Sequence, residues 1–204
     1  MITIIDYGLG NVRAFANVYE RLNIPTRIAH SAIDIKEATK IILPGVGSFD
    51  HAMTLLNNSG MRDELDKRVL SDKVPVVGIC LGMQIMAKSS DEGKLSGLGW
   101  VDGVVKIFDP DTIPYITRIP HMGWNSIRPV KESEILAGLT DNSRFYFLHS
   151  YYFDCNNLED VLTKTKYGIT YASAVNNNNV YGIQYHPEKS HSNGVQLLKN
   201  FANL

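Results

Sequence analysis

Short β-branched runs alternate with amphipathic stretches through the first half of the chain. They read ITIID, then Asn11 to Leu22, TRIAH, KIILPG, Phe49 to Leu70, PVVGI, and Leu81 to Lys88. Each run is too uniformly apolar to be a strand with one wet face, so the alternation predicts βα units around a buried, mainly parallel sheet. Glycines fall where those strands should end. The pattern changes in the second half, where GWVDGVVKIF, RFYFLHSYYF, GITYASAV and VYGIQYH are strand-like runs joined by turns. An added antiparallel section is expected there. Asn176 to Asn179 separates two of these runs and suits a hairpin turn, because Asn tolerates left-handed backbone. Val195 to Phe201 predicts a short amphipathic helix at the end. The fold class is α/β, without repeats or a long linker, and 204 residues suit one domain, 1–204.

Composition sets limits more than direction. Apolar residues make up 44% and charged residues 20%, the balance of an ordinary globular chain. Lys plus Arg number 20 against 21 acidic residues, and a formal charge of -1 supplies no basic field for phosphate backbones. Nucleic acid is therefore not an expected partner. MITIIDYGLGN places an acid and glycines where an export signal has a cationic start and a longer apolar core. The most apolar stretch, Val74 to Ala87, is interrupted by Gln84 and falls short of the roughly 20 residues a membrane span needs. The expectation is a soluble, cytoplasmic protein with no membrane contact. Two cysteines, Cys80 and Cys155, with no CxxC pair, argue against a disulfide framework and a zinc knuckle.

Candidate chemistry centres on Gly78-Ile79-Cys80-Leu81-Gly82. It follows the apolar run PVVGI and opens a helical pattern, which is the G-x-nucleophile-x-G arrangement of a strand-to-helix elbow. Small residues on both sides permit the sharp turn, and the turn presents Cys80 at the carboxyl edge of the sheet. Free N–H groups at the helix start favour a thiolate, and the Leu81 N–H can face a developing oxyanion. Cys155, in FDCNN, has no such setting and reads as a small buried residue. Gln84 lies one helical turn beyond Cys80 and either binds a polar substrate end or covers an exposed edge. Among six histidines, His186 stands out because Glu188 follows two residues later, on the same side of an extended segment, where a carboxylate can orient the imidazole. A zinc site from His149, His186 and His191 lacks any HExxH or Cys/His spacing. Gly8-Leu9-Gly10 imitates a dinucleotide fingerprint, but Arg13 occupies the place of the third small residue. Pro44-Gly45-Val46-Gly47-Ser48 ends a strand and either adds a backbone N–H to an oxyanion site or is an ordinary βα turn.

PGVGSF, GICLGMQ and YHPEKS, in that order, resemble the class I glutamine amidotransferases. IDYGLGN, PHMGWN and FLHSYYF extend the resemblance over essentially the whole chain. It narrows to the branch whose members pair with a cyclase in histidine biosynthesis, with a paralogue serving a surface-sugar synthase as the alternative. The resemblance implies a flavodoxin-like or Rossmann-like fold and hydrolysis of glutamine, with no metal or organic cofactor. It implies Cys80 as nucleophile, His186 as base and acid, and Glu188 as orienting partner. Gly47 and Leu81 would form the oxyanion region, and Gln84, Ser150 and Tyr151 would hold the amino-acid end of glutamine. Asn11, Tyr146 and Lys189 would face a separate (β/α)8-barrel cyclase in a heterodimer. Tyr185 stands where the family often has Phe.

Overall fold

The computed structural model describes residues 1–116 and 118–204. The βα units of the first half form β1 (Ile2–Ile5), α1 (Val12–Arg21), β2 (Thr26–Ala29), α2 (Ala32–Ile35), β3 (Lys40–Gly45), α3 (Phe49–Asn58), α4 (Arg62–Asp66), β4 (Val76–Cys80) and α5 (Leu81–Gln84). The second half contributes β5 (Ser89–Ser90), β6 (Gly103–Ile107), β7 (His121–Ser126), β8 (Arg128–Pro129), β9 (Arg144–His149), β10 (Tyr151–Cys155), β11 (Val161–Tyr167), β12 (Ile169–Asn177), β13 (Val180–Ile183) and α6 (His191–Asn203). Strands β2, β1, β3, β4 and β13 lie side by side in that order, all parallel, which is the flavodoxin-like arrangement. Beyond β13 the sheet continues antiparallel through β12 and β10 to β6, and β7 with β9 forms a separate antiparallel ribbon.

Buried strands on both faces explain the apolar runs. Ile41 and Leu43 point to one side, with Phe49, Met53, Leu56 and Leu65 of α3 and α4. Ile42, between them, points to the other, with Phe15 and Tyr19 of α1 and Leu197, Leu198 and Phe201 of α6. Tyr19 also donates its hydroxyl to the Leu198 carbonyl at 3.0 Å, which ties the first helix to the last. Each such side chain, fully buried, contributes about 1.5–3 kcal/mol relative to exposure.

Several elements depart from the sequence reading. The helix expected over Phe49 to Leu70 is broken at Ser59-Gly60, with Gly60 at φ +72°, and resumes as α4 followed by a π-helical turn, Lys67–Ser71. The helix expected over Leu81 to Lys88 is a single turn, α5, because the backbone N–H groups of Leu98 and Val101 reach back to the Ile85 and Met86 carbonyls. RFYFLHSYYF is two strands in two different sheets, divided at Ser150. The closing helix is longer than Val195 to Phe201. The Asn176–Asn179 hairpin links β12 to β13, with Asn178 at φ +51°. β11 has no counterpart in the sequence reading: VLTKTKY alternates weakly, and its Thr163 and Thr165 are buried through bonds to Ser173.

Candidate active site

Cys80 is the last residue of β4 and holds φ +55°, ψ -113°, a strained conformation for a residue with a side chain. Such strain costs about 1–3 kcal/mol and persists only where neighbours enforce it. The two glycines do so by letting backbone pack on backbone. A Cβ on Gly82 would overlap the Leu43 carbonyl oxygen of β3, and one on Gly78 would lie 2.5 Å from the Gly82 carbonyl oxygen. Because α5 is one turn long, the elbow has only the free N–H groups at the helix start behind it and no long helix dipole.

His186 lies just past β13 and is 4% exposed. Its Nδ1 is 2.8 Å from Glu188 Oε1, and the two side chains are 5% and 4% exposed. The local reason differs from the extended segment expected from the sequence. Pro187–Lys189 is a 3-10 turn, and the carboxylate folds back over it onto the imidazole. The turn is pinned by the Ser190 hydroxyl, which donates to the His186 carbonyl at 2.5 Å, and by Tyr146, whose carbonyl accepts from the His186 N–H at 2.9 Å. His186 Nε2 is buried without a hydrogen-bond partner of ordinary geometry. Burial alone would lower the imidazole pKa; the nearby Cys80 sulfur and the Glu188 carboxylate more than reverse this and push it up to about 10.

Cys80 and His186 open onto one cleft of about 340 Å³, whose walls include Val46, Gly47, Leu81, Gln84, Ser150 and Tyr151. Gly47 holds φ +104°, a backbone that side chains rarely adopt, and a Cβ there would meet nothing within 4 Å. Conformation rather than space calls for glycine at that point. Gln84 is 4% exposed, and its Nε2 donates to the Tyr151 carbonyl at 3.1 Å and to Gln184 Oε1 at 3.0 Å. The same Tyr151 carbonyl accepts from His149 Nδ1 at 2.7 Å. His149 therefore carries its proton on Nδ1, and its Nε2 sits 3.1 Å from the Tyr171 hydroxyl and 3.2 Å from His121 Nδ1. Burial, then the neighbouring His121, depresses the His149 pKa to about 3, and burial depresses that of His121 to about 4. Both rings are neutral struts behind Ser150 and Tyr151. His191, by contrast, is on the surface, stacked at 5.2 Å on Trp124. Among the described residues no three His, Cys, Asp or Glu side chains gather as a metal-binding group.

Asn11, Tyr146 and Lys189 lie at the same end of the sheet. Asn11 is exposed and caps α1 by accepting from the Ala14 N–H at 3.2 Å, and Lys189 Nζ stands 5.9 Å above the Tyr146 ring. A small cavity of about 10 Å³ separates Asn11 from His186 and Glu188. Cys155 lies apart, in β10, and burial pushes its thiol up to about 12. Tyr185 is fully buried with its ring 4.3 Å from Phe145.

Two polar residues of the site escape sequence reasoning. Glu92 lines the cleft from a loop, where its Oε2 accepts from the Phe49 N–H at 2.8 Å and so fixes the start of α3 behind the glycine loop. Nothing in SSDEGK marks it. Gln184 sits fully buried against Cys80, 3.8 Å from the sulfur, and its place two residues before His186 was the only available signal.

The sequence model for glutamine amidotransferase class-I matches residues 3–204. A Bdellovibrio bacteriovorus protein named imidazole glycerol phosphate synthase subunit HisH is 56% identical over 206 residues, covering all of both chains. A Leptospira interrogans protein of the same name is 50% identical over 204 residues, again over all of both chains. A crystal structure titled as a glutamine amidotransferase superposes with a TM-score of 0.76 at 18% identity, covering 100% of this chain and 99% of the other, and so shares the fold. The strained cysteine elbow, the parallel sheet that carries it and the end-to-end sequence match agree: this chain belongs to the class-I glutamine amidotransferase family.

Proposed function

We propose that this chain is the glutaminase subunit of an imidazole glycerol phosphate synthase, a single domain over 1–204. It hydrolyses glutamine to glutamate and passes ammonia to a separate (β/α)8-barrel cyclase in histidine biosynthesis. The observation that carries the chemistry is the strained Cys80 elbow opening onto the same cleft as the buried His186–Glu188 pair. The observation that carries the acceptor is full-length identity of 56% with a protein named as a subunit of that synthase.

In this reading the Cys80 thiolate attacks the side-chain carbonyl carbon of glutamine. The C–S bond forms as the carbonyl π electrons move onto oxygen, and the oxyanion is met by backbone N–H groups at Leu81 and Gly47. Collapse of the tetrahedral species breaks the C–N bond, and His186 gives the leaving nitrogen its proton, so ammonia departs and a thioester remains. Water then attacks the thioester carbon, His186 takes its proton, and glutamate leaves as the sulfur anion returns. Glu188 keeps the imidazole oriented and stabilises its charged form, as the carboxylate of a Ser-His-Asp unit does. Gln84, Ser150 and Tyr151 hold the amino-acid end. Glu92, the carboxylate in the cleft wall, supplies the negative charge that glutamine's ammonium needs. Asn11, Tyr146 and Lys189 face the cyclase in a heterodimer. Among the described residues no helix is long and apolar enough to cross a membrane, and we place the complex in the cytoplasm.

The test reconstitutes the chain with a histidine-pathway cyclase. Cys80→Ala should abolish glutamine-dependent synthesis and leave ammonia-dependent synthesis intact, since the acceptor reaction belongs to the partner. Equal loss with both nitrogen sources would overturn the division of labour. Failure of the wild-type chain to support that cyclase, with glutaminase activity present, would instead point to a different synthase, such as one building surface sugars.

A further inference from the structure

Behind the nucleophile lies a polar group that the proposed reaction leaves without a role. Gln184, the residue after β13, is 0% exposed and cannot touch a ligand in the cleft. Its Oε1 accepts from Gln84 Nε2 at 3.0 Å, and its Nε2 lies 3.8 Å from Cys80 Sγ. The orientation of this amide follows from its neighbours. Gln84 Nε2 is also 3.1 Å from the Tyr151 carbonyl, which can only accept, so that atom of Gln84 is the donating nitrogen. The Gln184 atom facing it must then be oxygen, and the Gln184 group facing the sulfur must be N–H. The titratable groups beside the sulfur are the His186 imidazole and the buried Tyr7 hydroxyl; its two uncharged polar neighbours are the Gln184 amide and the Leu148 carbonyl, 3.9 Å away, which can accept only from a protonated thiol.

The two neighbours therefore favour opposite states. The Leu148 carbonyl suits the thiol and repels an anion, whereas the Gln184 N–H attracts an anion and gains strength as charge appears on the sulfur. Because the Gln184 amide is fully buried, its preference is little diluted by water, whereas Leu148 lines the open cleft. We propose that Gln184 is a positioning residue for Cys80: its N–H, held by Gln84, steadies the sulfur anion and aims it into the cleft. The proposal rests on Cys80 being the nucleophile of glutamine hydrolysis. It also gives Gln84 a second task, since one amide nitrogen braces the Tyr151 carbonyl of the cleft wall and sets the amide that faces the sulfur.

The experiment uses Cys155→Ser chains, so that one thiol is left, and follows alkylation by iodoacetamide without glutamine. The sulfur anion displaces iodide, a C–S bond replaces a C–I bond, and the rate reads the reactive anion directly. Gln184→Met should slow alkylation at pH 7 by about tenfold, the usual scale of one lost hydrogen bond to a charged group. The rate-against-pH curve should move toward higher pH, and kcat should fall in parallel with the alkylation rate. Gln184→Glu keeps the acceptor toward Gln84 but sets a carboxylate against the sulfur, and should be slower still. Should these chains not fold, Gln84→Met frees Gln184 from its anchor without touching the sulfur and predicts slowing in the same direction. Unchanged alkylation rate and pH curve in the folded variants, with losses confined to KM or thermal stability, would overturn the proposal. If alkylating Cys80 in the parent chain left glutaminase activity intact, the nucleophile assignment itself would fall, which is a different result.

Discussion

Exchanging Glu188 for Gln removes one negative charge and almost no volume. The carboxylate oxygen is 2.8 Å from His186 Nδ1 and both side chains are about as buried as core residues, at 4% and 5% exposure. Two unit charges about 4 Å apart attract by about 4 kcal/mol at an effective dielectric constant of about 20. The amide oxygen of the variant can still accept the Nδ1–H bond, so part of the interaction and the ring orientation survive. A loss of about 2–4 kcal/mol of transition-state stabilisation is expected, which is roughly 30- to 1,000-fold in kcat. KM should hold, because Glu188 does not line the cleft. Stability provides an independent reading. The imidazole pKa rises from 6.5 to about 10 in the folded chain, so its ionic contacts stabilise the fold fully below about 6.5 and lose that effect as pH rises through about 10. The melting-temperature gap between wild type and Glu188→Gln should thus be widest at about pH 6.5 and shrink as pH rises toward 10. Steady-state glutaminase assays and thermal unfolding across this range measure both. A variant within about threefold of wild-type kcat, or one with a pH-independent stability gap, would refute the view that the carboxylate acts through imidazole charge.

Gly82→Ala should destabilise the fold by about 1–3 kcal/mol and abolish glutaminase activity, since its Cβ has no room against the β3 backbone at Leu43; denaturant unfolding and a glutaminase assay check both. Cys155→Ser should leave kcat and KM unchanged, because the thiol lies in β10 away from the cleft; a drop in kcat would reveal a role not assigned to it. Glutaminase activity should be weak in the isolated chain and rise about a hundred- to a thousandfold with the cyclase and its nucleotide ligand, the range one oxyanion donor supplies. Lys189→Ala at the suspected interface should blunt the rise, and full activity without partner would sink this gating idea.

Local pattern made the parallel half of the fold legible: ITIID, KIILPG and PVVGI are buried on both faces, and their apolar runs say so. The elbow was legible for the same reason, since Gly78 and Gly82 record how closely two backbones approach. Elsewhere tertiary packing overrides local preference. Leu81 to Lys88 has helical periodicity, yet the chain leaves the helix after one turn because the Leu98 and Val101 N–H groups claim the Ile85 and Met86 carbonyls. RFYFLHSYYF has one continuous strand-like pattern, yet His149 turns inward to the Tyr151 carbonyl, and the strand divides at Ser150. β11 was hidden because its buried positions are threonines, satisfied by a serine on the next strand.

The same division explains why the nucleophile could be read from sequence and its buried neighbour could not. In the parallel sheet Gly45 of β3 pairs level with Cys80 of β4, and Ile183 of β13 pairs level with Ile79. The carboxyl ends of three strands thus align, and the segments after them converge: the glycine loop after β3, the elbow after β4, the His186 turn after β13. One further residue along, Gln184 comes level with Cys80, which is why its amide meets the sulfur, and His186 stands beyond it over the cleft. Each segment has its own local signature, but the level at which they meet is set by strand register, a property of pairing between segments about a hundred residues apart. A one-residue slip of β13 would turn Gln184 and His186 to the opposite face while leaving every local motif intact. Register, pinned by the burial of Ile79 and Ile183 on the side of α1 and α6, is what converts separate motifs into a site.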